Sequence, residues 1–209
     1  MKSFFILCLG ILLGFFLFDS PARGIKLDIS SLMDNSVVLV EDQHIYCAGV
    51  WISFDQILTA GHCVVSKQFV TYLDYRDFTS GKFGMRVGQV VRVGYSDLAL
   101  IKVVSEDRQH GIVSVYSGGI EAGMEGHIIG HPKGQVYTYM KGWVSSIRNR
   151  DGIWFLQVQA PVFLGNSGGG IFDDRGRLLG ISSSMSLLAP STGYFVSHRE
   201  ILEFLGEDS

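Results

Sequence analysis

A hydroxyl, an imidazole and a carboxylate, each set among small residues, give this chain the parts for breaking an acyl bond. Ser167 lies in G-N-S-G-G-G (Gly165 to Gly170), His62 in T-A-G-H-C (Thr59 to Cys63) and Asp97 at the head of D-L-A-L (Asp97 to Leu100). Acyl transfer needs a nucleophile, a base near neutral pKa, a carboxylate to fix the base's tautomer, and donors for the developing oxyanion. Ser167 would attack and His62 would act as general base, then acid. Asp97 would orient the imidazole, and the backbone N–H groups of Gly165 and Ser167 would receive the oxyanion. Gly165 serves through its backbone, because a Cβ would restrict the conformation that aims its N–H. Each fragment alone is a weak signal: a serine among glycines is commonly a turn, a lone histidine structural and a lone aspartate solvated. Their order and flanking residues make the combination specific.

Such groups must be carried on a rigid frame. Short apolar or alternating segments recur along the chain, separated by Gly, Asp, Asn and Ser, with no long helical periodicity before the C-terminus. Strands are expected at Val37 to Val40, Ala48 to Ile52, Gln56 to Thr59, Phe69 to Tyr72, Met85 to Val93 and Leu98 to Val103. A second series is expected at His127 to Ile129, Val136 to Val144, Ile153 to Gln159, Gly169 to Phe172, Leu178 to Ser184 and Tyr194 to Val196, after a polar connector at Ser105 to Gly111. The 26 glycines suit tightly coiled small barrels, which need them at corners and bulges. Asp173, Asp174 and Arg175 read as a polar hairpin turn. A closing helix is expected over His198 to Leu205, with Ser197 as N-cap and Glu200 completing a capping box.

The 209 residues suffice for one domain or for two small barrels sharing a cleft. A net charge of -3, with 18% charged residues and no acidic or basic tail, argues against nucleic-acid binding. Residues 4 to 18 are uninterruptedly apolar and follow Lys2; at fifteen residues the run falls short of the roughly 20 that span a bilayer. With Ser20-Pro21-Ala22 behind it, residues 1–22 read as a signal peptide cleaved near Ala22, or alternatively as a retained signal anchor that would tether the protein to a membrane. A secreted or periplasmic location follows. Cys8 leaves with the leader, and Cys47 and Cys63 remain, able to form a disulfide that pins the turn presenting His62, or to persist as buried free thiols.

The motifs together resemble the chymotrypsin-fold, trypsin-like serine peptidases over essentially the whole mature chain. I-L-T-A-G-H-C-V-V (Ile57 to Val65) looks like the family's His-bearing segment and D-L-A-L-I-K-V (Asp97 to Val103) like its Asp-bearing strand. I-I-G-H-P-K-G (Ile128 to Gly134), G-W-V-S-S (Gly142 to Ser146) and G-N-S-G-G-G-I-F-D-D-R-G-R-L-L-G-I (Gly165 to Ile181) are similar to the HtrA/Deg-like branch. The resemblance implies an all-β fold of two six-stranded antiparallel β-barrels with a short C-terminal helix. Residues 23–209 would form one peptidase domain, with barrels over about 23–107 and 108–209 meeting at the active site. It further implies an S1 pocket walled by Pro161, Val162, Phe163, Ser182, Ser183 and Tyr194; these carry no charge, so an apolar, small-to-medium P1 side chain is expected. Two departures matter. Asn166 stands where trypsin-like zymogens carry the aspartate that pairs with a new N-terminus, so the oxyanion loop must be ordered by other means. The chain also ends soon after its closing helix, so no PDZ domain is expected.

Other histidines and aromatics read more plainly. His127 and His131 are four apart, but Gly130 and Pro132 oppose the helix that would pair them as metal ligands. No metal or cofactor is expected. His44, His110 and His198 read as solvated, and Trp51, Trp143, Trp154 and Phe155 as barrel filling. Three classes of function follow: an exported serine endopeptidase acting on proteins or peptides, a catalytically silent adaptor on the same fold, and an esterase-like hydrolase. The intact set of reactive groups favours the first, and the nucleophile motif disfavours the last because it is not G-x-S-x-G.

Overall fold

The computed structural model describes residues 27–42, 45–64, 67–82, 84–103, 112–189 and 191–206. The apolar leader with its cleavage site, Cys8, His44, His110 and the connector at 105–111 lie outside the described residues.

Six antiparallel strands form the first barrel: β1 (Ser36–Asp42), β2 (Ile45–Trp51), β3 (Gln56–Ala60), β4 (Phe69–Asp74), β5 (Arg86–Val93) and β6 (Leu98–Val103). Their hydrogen-bonded order β1-β2-β3-β6-β5-β4 closes on itself, because β1 pairs with both β2 and β4. The second barrel repeats the plan with β7 (Glu125–Gly130), β8 (Thr138–Arg150), β9 (Ile153–Gln159), β10 (Gly170–Phe172), β11 (Leu178–Met185) and β12 (Thr192–Ser197), closed in the order β10-β11-β12-β9-β8-β7. Closure leaves no unpaired barrel edge.

Side-chain alternation drives this architecture. Along β4, Val70, Tyr72 and Asp74 are buried while Phe69 is exposed, and Tyr72 meets the fully buried Trp51 edge-on at 5.8 Å. One hydrophobic cluster runs from Trp51, Ile57, Leu98 and Ile101 of the first barrel into Ile129, Phe172, Ile181 and Val196 of the second, so the barrels share a core. A second cluster, around Ile128, Val144, Leu156, Leu179 and Phe195, fills the second barrel. The C-terminal helix α3 (His198–Leu205) seals the shared core with Ile201 and Phe204, each side chain contributing roughly 1.5–3 kcal/mol on burial.

Several local expectations need correction. Two short helices, Ile29–Asp34 and Tyr75–Thr79, were not legible from periodicity, being too short to show it; each is started by an aspartate, Asp28 accepting from the N–H of Ser30 at 3.0 Å and Asp74 from that of Arg76 at 3.1 Å. Strand β8 starts at Thr138, not Val136, because Tyr137 sits at φ 55°, outside strand geometry, and it runs on to Arg150. Ser197 caps α3 by accepting from the N–H of Arg199, but Glu200 closes no capping box: its carboxylate accepts from the N–H of Trp154 at 3.0 Å. His198 is buried, not solvated, lying edge-on to Tyr116. Trp51 fills the first barrel and Phe155 packs against the shared core, whereas Trp143 and Trp154 stand on outward strand faces, 52% and 37% exposed, with the Arg199 guanidinium over the Trp154 ring. The hairpin at Asp173 forms as expected, its carboxylate taking the N–H groups of Arg175 and Arg177.

Candidate active site

His62 is presented by a 3-10 turn, Gly61–Cys63, at the end of β3. Asp97 immediately precedes β6, the strand that pairs with β3, and therefore lies beside that turn. Asp97 takes a left-handed conformation, φ 59°, which costs an L-residue roughly 1–2 kcal/mol, least for Asp and Asn. The strain is offset by dense bonding. The Asp97 carbonyl accepts from the N–H of Gly61 at 2.9 Å, and Oδ1 accepts from the N–H of His62 at 2.9 Å. The His62 Nδ1 lies 3.1 Å from Oδ1 and 3.0 Å from Oδ2. An ionised carboxylate can only accept, so Nδ1 carries the proton and Nε2 is the unprotonated ring nitrogen.

Across the cleft, the Ser183 hydroxyl of β11 donates to Asp97 Oδ2 at 2.5 Å. Burial pushes the Asp97 carboxyl up, but the hydrogen bonds from His62 and Ser183 and the attraction of the imidazole together outweigh it and hold the group below its ordinary value. Asp97 therefore stays ionised wherever His62 is neutral.

Ser167 arrives on the loop between β9 and β10. Its carbonyl accepts from the N–H of Ala48 in β2 at 2.7 Å and lies 3.8 Å from Cys63 Sγ. Gly168 follows at φ 83°, and a Cβ there would stand 2.1 Å from the Ala48 carbonyl oxygen. No other residue type could bring the loop this close to the first barrel. Cys47 and Cys63 are joined in a disulfide, which ties β2 to the turn that presents His62. The two sulfurs and a ring nitrogen of His62 lie within 4.8 Å of one another, yet sulfurs bonded to each other are not thiolate ligands.

Gly165 adopts φ 99°, and a Cβ on it would fall 2.1 Å from the carbonyl oxygen of His131. Among the described residues, no backbone carbonyl takes the N–H of Gly165 or of Ser167. Asn166 between them is fully buried against Gly130, and its own N–H turns back to Phe163 O at 3.1 Å.

The expected pocket residues separate into distinct surroundings. Pro161 and Phe163 border an open cleft of about 280 Å³ shared with Pro132, Thr138 and Met140, where Lys133 Nζ stands 4.8 Å from the Phe163 ring centre. Val162 is buried against Gly193, whose Cβ position lies 2.7 Å from Val162 Cγ2. Ser182 is buried and exchanges backbone hydrogen bonds with Gly168 and Gly169. Two of them have contacts of their own: the Ser183 hydroxyl donates to Asp97, and the Tyr194 ring lies under the Arg150 guanidinium at 4.0 Å. Adjacent strand residues face opposite sides, so the neighbours of Tyr194 turn inward: Gly193 meets Val162, and Phe195 is buried in the same cluster. Sequence reading missed the Ser183 contact because a serine in S-S-S carries no mark of which hydroxyl turns inward.

Two closed barrels with an Asp-oriented imidazole and a glycine-bounded serine between them define a hydrolase of chymotrypsin-like architecture. The chain belongs to the trypsin-like peptidase domain family, whose model matches residues 47–181. It is 32% identical over 136 residues to a probable periplasmic serine endoprotease, DegP-like, of Hahella chejuensis (strain KCTC 2396), a match covering 62% of this chain and 27% of that protein. The chain thus spans about a quarter of that relative. Among solved structures it superposes on the active form of the Rv3671c protease of M. tuberculosis with a TM-score of 0.73 at 19% identity, covering 86% of this chain and 83% of that one. The serine endoprotease from Yersinia pestis gives 0.71 at 18% identity, over 86% of this chain and 66% of that one. The HtrA-type protease AlgW with tripeptide gives 0.70 at 22% identity, over 86% and 62%. At these identities the structural likeness speaks for the fold.

Proposed function

We propose that the protein is an exported serine endopeptidase that cleaves peptide bonds through an acyl-enzyme on Ser167. The observation that carries this reading is the two-point contact of His62 Nδ1 with the Asp97 carboxylate, which leaves Nε2 as the acceptor. In the reaction, Nε2 takes the Ser167 proton as Oγ attacks the carbonyl carbon, and Asp97 stabilises the imidazolium that results. The N–H groups of Gly165 and Ser167 receive the oxyanion, a stabilisation worth about 10²- to 10³-fold per donor. The imidazolium then protonates the leaving amine, and water repeats the sequence to release the acid.

Val162 lies buried against Gly193 and carries no charge, which supports an apolar, small-to-medium P1 residue. Export is supported by the disulfide, by the leader at residues 1–22 and by the periplasmic name of the relative. Residues 23–209 would be the mature peptidase domain, with the leader cleaved near Ala22 or kept as a membrane tether.

A fluorophosphonate probe tests the mechanism. It should label the wild type and fail to label Ser167→Ala and His62→Ala; a folded wild type that resists labelling overturns the catalytic reading. Peptide-library cleavage that favoured Arg, Lys or Glu at P1 would refute the pocket assignment.

A further inference from the structure

Asn166 removes the ion pair that would order the oxyanion loop from a new N-terminus, and the surroundings of Gly165 contain a substitute. Two backbone hydrogen bonds strap the loop at 163–166 to the segment at 131–137: the N–H of His131 donates to Gly165 O at 3.2 Å, and that of Lys133 to Leu164 O at 2.8 Å. The His131 carbonyl oxygen is the atom a Cβ on Gly165 would strike, so this segment forms the wall that Gly165 folds against. His131 is fully buried, and its Nδ1 accepts from the N–H of Tyr137 at 2.9 Å.

Tyr137 leads out of the second barrel. Its hydroxyl donates to Leu73 O, in β4 of the first barrel, at 2.7 Å. Its ring packs on Tyr75 and Phe78 of the short helix after β4, with centroids 4.8 and 5.1 Å away, and on His131 at 5.1 Å. Both Lys133 and Tyr137 hold positive φ, 52° and 55°. Left-handed backbone at bulky residues persists only where surrounding structure over-determines it, and it gathers at functional sites.

We propose that Tyr137 is a positioning residue: acting through His131, it holds the 163–166 loop in the form that aims the Gly165 and Ser167 N–H groups and sets that form by the position of the first barrel. The proposal rests on the catalytic reading above for its effect on rate, and on the strap alone for its effect on the loop. The helix Tyr75–Thr79, which follows β4 of the first barrel, becomes a place from which the oxyanion hole in the second is adjusted.

Tyr137→Phe removes one hydroxyl and keeps the ring packing. Its kcat on a peptide substrate should fall about tenfold with KM nearly unchanged, short of the 10²- to 10³-fold cost of losing an oxyanion donor outright. Affinity for a peptide boronate, which forms the tetrahedral anion, should fall in proportion to kcat. Amide hydrogen exchange at 163–168, read by mass spectrometry, should rise by about tenfold while β9 and β11 keep their protection. Wild-type kcat and wild-type exchange in Tyr137→Phe would overturn the proposal. Wild-type protein that neither takes the fluorophosphonate nor binds the boronate would instead sink the catalytic reading; the exchange at 163–168 would still decide whether Tyr137 holds the loop. His131→Gln serves as the second variant: faster exchange there, with Tyr137→Phe unchanged, would place the strap in His131 alone and refute the role of Tyr137.

Discussion

The hydroxyl of Ser183 donates to Asp97 Oδ2 at 2.5 Å, joining residues 86 apart in sequence and carried by different barrels. The contact means that the carboxylate orienting His62 is itself oriented from across the cleft.

Ser183→Ala should therefore act on the base rather than on substrate binding. A hydrogen bond to a charged group contributes roughly 1.5–3 kcal/mol, so kcat/KM should drop by at least about tenfold. The Asp97 carboxyl, now held low in part by this bond, should itself rise. Steady-state kinetics checks the first effect and an NMR titration of the carboxyl carbon the second; an unmoved carboxyl titration contradicts the contact.

Gly165→Ala should slow turnover severely while sparing the fold. Its Cβ would stand 2.1 Å from the His131 carbonyl oxygen at φ 99°, so the loop must move. A rate loss of about 10²-fold or more, with a melting temperature within a few degrees of wild type, is the expected result. The readouts are kcat and a thermal melt.

Replacing both cysteines by serine should cost stability as well as activity. The bridge closes a loop with sequence separation 16, worth about 3 kcal/mol on the loop-entropy account. Denaturant titration reads this loss. Because the bridge also fixes the turn of His62, fluorophosphonate labelling should slow in the same variant.

His198 should make the fold sensitive to mild acid. Burial, and then the charge of Arg199, push its imidazole below its ordinary value of 6.5, so the folded state binds fewer protons than the unfolded chain. Its contribution is complete above pH 6.5 and is lost as pH falls through the lower folded value. The stability difference between wild type and His198→Phe should accordingly shift in favour of the variant on going from pH 7 to pH 5, by at most about 1.4 kcal/mol per pH unit. Denaturant titrations at both pH values measure it; a constant difference contradicts the burial account.

Much of this architecture could be read from the chain because barrel strands alternate by residue, and alternation is a local signal. Val70, Tyr72 and Ile101 announced their faces without help. The turn that carries Ser167 was legible for a similar reason, since Gly165 and Gly168 mark backbone that only glycine allows. What stayed hidden depends on distant partners. His198 reads as a surface residue until Tyr116 lies against it, and Trp143 reads as core until the register of β8 turns it outward. Nothing in V-Y-T-Y tells which tyrosine will reach Leu73. Nor does the sequence show that the Ser183 hydroxyl turns to Asp97 or that the Tyr194 ring meets Arg150, since strand register sets both directions.

The carbonyl of Ser167 accepts from Ala48, and this joint has a bearing on when the molecule could become dangerous to its maker. His62 and Asp97 are synthesised first, and Ser167 follows within the second barrel. On the proposed mechanism, a chain with only its first barrel folded holds a base with nothing to deprotonate, and a chain whose barrels come apart loses the backbone anchor of Ser167. Activity would be switched on by the completion of folding itself and switched off again by any opening of the cleft.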